Sequence, residues 1–122
     1  MPREASDPTR ERDALGDMLG AAQRALRYVE SMTRDQFDGD EQCQDAVTRC
    51  LEIVGEAAGR LRQAVGDRFP EIPWAEIIAM RNRLIHGYDT VELDIVWDTV
   101  HNDLSTLVDH VSAILQGEEF DV

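Results

Sequence analysis

The chain has 122 residues, 43% apolar and 30% charged, which suits one domain with a single core that folds without disulfides or metal. Its net charge is −13: all twelve cationic side chains are arginines within residues 1–83, against sixteen acids there, while 84–122 hold nine acids and no arginine. That balance excludes nucleic-acid binding through a broad basic field, so a phosphate-handling site must be local and built from few arginines.

Residues 1–8 are polar, contain two prolines and read as a disordered N-terminal segment. They lack the apolar stretch of a signal peptide, and no apolar run in the chain approaches a membrane span, so the expected location is cytoplasmic. From Thr9 a helical period begins, with Leu15, Met18, Leu19, Ala22, Ala25, Leu26 and Val29 at three- and four-residue spacing. "SMTRDQFDGD" breaks it. Thr33 can cap a short turn that points Phe37 inward, and Gly39 ends that turn. Asp40 can cap a long helix whose apolar stripe runs from Cys43 to Val65, with Gly66 placed for its end.

Gly55 and Gly59 lie inside that helix, where each costs about 1 kcal/mol against alanine. The pair predicts a close helix crossing. "DRFPEIPWAEI" is a loop in which Pro73 fits the first position of a third helix carrying Trp74, Ile77, Ile78, Leu84 and Ile85, with Gly87 at its end. "YDTVE" connects it to a fourth long helix, lined on its core side by Leu93, Val96, Trp97, Val100, Leu104, Leu107, Val108, Val111 and Leu115. The expectation is all-α: an antiparallel bundle of four or five helices over residues 9–116, followed by an acidic tail at 117–122.

Cys43 and Cys50 are seven apart on one helix, about 10 Å along its axis, too far for a disulfide, and read as small core residues. Trp74 and Trp97 fall in apolar stripes and read as core or dimer-interface residues. His101 and His110 show no metal-ligand spacing and read as helix-surface residues; no metal and no cofactor is expected.

The chemistry concentrates in "MRNRLIHGYD", residues 80–89. On a straight helix Arg81 and His86 stand about 140° apart, whereas Asn82 and His86 share a face. Histidine titrates near neutrality, so it can take the proton from a ribose 2′-hydroxyl or give one to a leaving 5′-oxygen. A planar guanidinium can meet the charge that gathers on the five-coordinate phosphorus. Arg81 suits that role. Arg83 is a second candidate or a backbone contact, Asn82 can orient His86 or the ribose, and Tyr88 can donate to phosphate or stack on a base. Set against this, a histidine near a helix C-terminus is favoured by the helix dipole alone, and both arginines have many acids to pair with. Glu56, beside Gly55, could pair with Arg81 or Arg83 across the helix contact as a supporting residue, or simply face solvent.

The pattern Arg81-x4-His86-x-Tyr88 resembles the signature of HEPN-domain ribonucleases, specifically the HepT-like toxins. "DAVTRCLEIVGEAAGRL" (45–61) is similar to that family's second long helix, and "FPEIPWAEIIAMRNRLIHGYDTVELDIVWDTV" (69–100) to its most recognisable block. The resemblance implies a homodimeric helical bundle whose two motifs face a shared cleft, which would bring groups 140° apart around one substrate. It implies metal-independent RNA cleavage with Arg81 and His86 as the catalytic pair. It also implies a partner, a minimal nucleotidyltransferase antitoxin that transfers AMP to Tyr88. A competing reading keeps the bundle as a non-catalytic module that docks the nucleotidyltransferase; the net charge of −13 leans that way.

Overall fold

The computed structural model describes residues 7–86 and 92–117. The segment before Asp7, the connection Gly87–Val91 and the last five residues of the tail lie outside them, and with them the expected helix end at Gly87. Each of the first three helices starts where a side chain takes over unpaired backbone donors. Asp7 caps α1 (Pro8–Tyr28), its carboxylate accepting from the Thr9 and Arg10 N–H groups at 3.0 and 3.4 Å. Thr33 and Gln36 form a reciprocal capping box on α2 (Arg34–Asp38), at 3.1 and 2.9 Å. Asp40 caps α3 (Glu41–Val65) through the Cys43 N–H at 3.0 Å.

Helix α4 (Trp74–His86) begins one residue later than expected. Pro73 precedes it and its carbonyl accepts the Ile77 N–H at 3.1 Å, so proline serves as the residue before the first turn and not within it. The Trp74 indole N–H reaches back to the Phe69 carbonyl at 3.1 Å and ties the "FPEIP" loop to the helix start.

Helices α1 and α3 form the central pair, with α4 along α3 and α6 (Leu104–Gln116) along α1. Leu15, Met18 and the small Ala21, Ala22 and Ala25 of α1 are buried with Val47, Leu51, Val54, Ala57, Ala58 and Leu61 of α3 in one core. Alanines on both partners let the helix backbones approach closely. Phe37 is fully buried, so the five-residue α2 acts as a plug for the bundle. Cys50 is buried and Cys43 half-buried, both as free thiols. Burial, and secondarily the Asp40 carboxylate, pushes the Cys43 thiol above its ordinary value.

The expected fourth long helix is not continuous. It runs as α5 (Leu93–Asp98), a π-helical turn at Thr99–Asp103, then α6. The Leu104 N–H donates to the Thr99 carbonyl five residues back. The buried residues explain the turn. Val96, Val100 and Leu104 are spaced by four, and two such steps on an α-helix drift by about 80°. A widened turn cancels much of that drift and returns Leu104 to the face of Val96. Helix α5 is braced against α2 by the Phe37 and Trp97 rings, 5.2 Å apart, and by Arg34, which donates to Asp38 and to Asp94 at 2.7 Å. Those two carboxylates, Asp38 first, raise the Arg34 guanidinium above its ordinary value. The described residues contain no strand; the fold is an all-α bundle, as the periodicity predicts.

Candidate active site

The site is built where α4 crosses α3. A Cβ placed on Gly55 would overlap the Cβ and Cγ of Arg81 and stand 3.5 Å from its Cα, so only glycine admits this approach. The expected glycine pair is therefore half right. A Cβ on Gly59 would meet nothing within 4 Å, so the close approach is confined to Gly55.

Arg81 is half-buried by this contact. Its Nε is sealed from solvent and has no hydrogen-bond partner among the described residues. Its Nη1 donates to the Asn82 Oδ1 at 3.1 Å. Asn82 thus holds the arginine, a role its position beside the arginine did not suggest; the expected helix-face partner was His86. Arg83 points elsewhere. It is exposed and donates to the Glu92 carboxylate at 2.7 Å, across the connection that follows α4. His86 is the last residue of α4 and is exposed. Tyr88 lies outside the described residues.

The expectation that Glu56 might join Arg81 or Arg83 is overturned. Glu56 is exposed and its nearest cation is Arg49, at 3.7 Å on the same helix. Burying Gly55 against Arg81 turns the next residue about 100° away, towards solvent. Sequence reasoning also missed Glu92. An acid nine residues after Arg83 carries no spacing signal, since the two residues belong to different elements.

Beyond this crossing, a groove of about 280 Å³ separates α4 from the π-helical turn and α6, with Val54, Ile77, Met80 and Leu107 among its apolar lining. His110 lines it with a buried Nδ1 that has no partner among the described residues, so this histidine is less solvated than expected. His101 is exposed, but its ring stacks on Trp97 at 3.8 Å and its Nδ1 lies 2.9 Å from the Trp97 carbonyl. A carbonyl only accepts, so Nδ1 carries the proton in that contact. Trp97 is therefore half-buried between Phe37 and His101, while Trp74 is core. Among the described residues no group of three or more His, Cys, Asp or Glu side chains is gathered as a metal site, and no helix is long and apolar enough to cross a membrane.

In chemical terms the site offers a cation held partly out of water with an unused donor, and an accessible imidazole one and a half turns further along the same helix. Partial burial strengthens the field of that cation at a bound anion. Comparison with known proteins places this arrangement in context. The family model described as HepT-like, ribonuclease HepT-like, matches residues 18–114. A candidate ribonuclease HepT of Thermococcus cleftensis is 38% identical over 95 residues, covering 75% of this chain and 86% of the relative. A candidate RNase of Methanocaldococcus jannaschii is 32% identical over 105 residues, 86% of this chain and 87% of the relative. One from Caldanaerobacter subterraneus is 32% identical over 108 residues, 88% and 96%. No solved structure gives a significant match. On the family match and these relatives, the chain belongs to the HepT-like ribonuclease family, a family of HEPN-type endoribonucleases.

Proposed function

We propose that this chain is the ribonuclease toxin of a two-gene toxin–antitoxin pair, working as a homodimer without metal. The observation that carries the reading is Arg81: a half-buried guanidinium whose Nε–H has no protein acceptor among the described residues, on the helix that ends in His86. The RNA 2′-oxygen attacks the neighbouring phosphorus as its proton passes to imidazole. The bond from phosphorus to the 5′-oxygen breaks and that oxygen takes up a proton. The products are a 2′,3′-cyclic phosphate and a 5′-hydroxyl. His86 supplies the base or the acid, and Arg81 stabilises the dianionic phosphorane. Asn82 steadies Arg81, and Arg83 contributes a backbone contact once it leaves Glu92. Two copies of the motif at a shared cleft would provide one imidazole for each proton transfer.

In the same reading a nucleotidyltransferase antitoxin neutralises the enzyme by placing AMP on Tyr88. The modification adds bulk and negative charge beside His86, where the scissile phosphate has to sit, and gives Arg81 a competing phosphate. The alternative, a non-catalytic module that docks the nucleotidyltransferase, draws on the acidic surface and on the Arg83–Glu92 pair, which occupies a cation.

The deciding experiment uses purified protein expressed alone, with RNA as substrate and EDTA present. The expected result is cleavage leaving cyclic phosphate ends, abolished in His86→Ala. Cleavage that survives His86→Ala, or that requires added metal, overturns the mechanism. Intact mass after co-expression with the neighbouring nucleotidyltransferase tests the second part: an adenylate increment should appear and vanish in Tyr88→Phe.

A further inference from the structure

A catalytic arginine must be held as well as present, and two contacts hold Arg81. The first is the notch at Gly55. Gly55 is buried, and the Arg81 stem fills the space in which any larger residue's Cβ would lie. The second is Asn82, which occupies Nη1. Among the described residues Nη2 has no partner, so it is the donor left for a phosphate oxygen. The sealed Nε shows how deeply the stem is buried where the guanidinium begins.

We propose that Gly55 is a positioning residue for Arg81: its missing side chain seats the arginine stem on α3, so that Nη2 is presented to the phosphate while Asn82 keeps Nη1 occupied. This rests on the reading of Arg81 as the phosphate-binding cation. A methyl group at position 55 forces α4 outward or drives Arg81 into another rotamer. Either displaces the fork on the scale of an ångström, enough to cost on the order of 100-fold in rate.

Gly59, one turn along α3, is the internal control, because a methyl there meets nothing. The experiment compares Gly55→Ala, Gly59→Ala, Arg81→Ala and Gly55→Ala/Arg81→Ala by kcat and KM on RNA. The expected result is a kcat loss of about 100-fold in Gly55→Ala with little change in KM, and wild-type kcat in Gly59→Ala. In the Arg81→Ala background Gly55→Ala should change kcat by less than about 3-fold, since groups acting as a unit are not additive. Wild-type kcat in Gly55→Ala overturns the proposal. So does an equal loss in both backgrounds, which would mean general damage to the fold.

A second readout needs neither activity nor a folded variant. In ¹⁵N-labelled wild-type protein the Arg81 Nε–H resonance should exchange slowly with water, and the protection should be lost in Gly55→Ala. Fast exchange in the wild type overturns the seating of Arg81 even where Gly55→Ala fails to fold. If wild-type and Arg81→Ala proteins cleave RNA equally while that resonance is protected, the role assigned to Arg81 fails and the seat stands only as packing.

Discussion

Phe37 sits on a helix of five residues, too short to be stable alone, yet it is completely buried. Its ring meets Trp97 of α5 at 5.2 Å, so it joins α2 to the segment that follows α4. Phe37→Ala should therefore behave as a core deletion. Truncating a buried phenylalanine costs about 3–5 kcal/mol, from lost transfer energy and the cavity left behind. The lost aromatic pair accounts for roughly 0.5–1.5 kcal/mol of that. Against a typical total of about 5–15 kcal/mol, the variant stays folded but marginal. Urea unfolding followed by circular dichroism should show a large drop in midpoint with an unchanged slope. Tryptophan emission should shift to the red before unfolding, because Trp97 loses the ring that covers it while Trp74 keeps its bond to Phe69. Arg34→Ala breaks only exposed bonds to Asp38 and Asp94 and should have a far smaller effect. A loss below about 1 kcal/mol in Phe37→Ala would refute the assignment of α2 as a core plug.

Glu92→Gln releases Arg83 from its 2.7 Å partner. RNA binding should tighten, and its logarithmic salt slope should steepen by about 0.7, one single-strand phosphate contact, in fluorescence anisotropy; an unchanged slope would show that Arg83 does not reach RNA. Because burial and then Asp40 raise the Cys43 thiol, its thiolate forms only at higher pH than in a free thiol. Alkylation of Cys43 by iodoacetamide, followed by mass spectrometry, should therefore reach half its maximal rate above about pH 8.5, the ordinary thiol value. A midpoint below that value would contradict the burial. Cys50, 3% exposed, should react only on unfolding.

Much of this architecture is legible residue by residue. Thr33, Asp40 and the apolar stripes mark helix starts and core faces because caps and periodicity are local properties, decided within one or two turns. The motif around Arg81 and His86 is visible for the same reason, but its chemistry is named by the resemblance to a family and not by residue types alone. What the chain alone leaves open are relations between elements. Gly55 and Gly59 look equivalent in sequence, and only the placement of α4 on α3 makes one a notch and the other an open position. Val96, Val100 and Leu104 read as one continuous helix, and the π-helical turn appears only because all three must face a core built by α1 and α3. Glu92, and not Glu56, pairs with a motif arginine for a similar reason. The rotation of α3 against α4 turns Glu56 towards Arg49, while the placement of α5 beside α4 brings Glu92 to Arg83. Local pattern determined which groups this protein carries; packing between helices decided which of them meet.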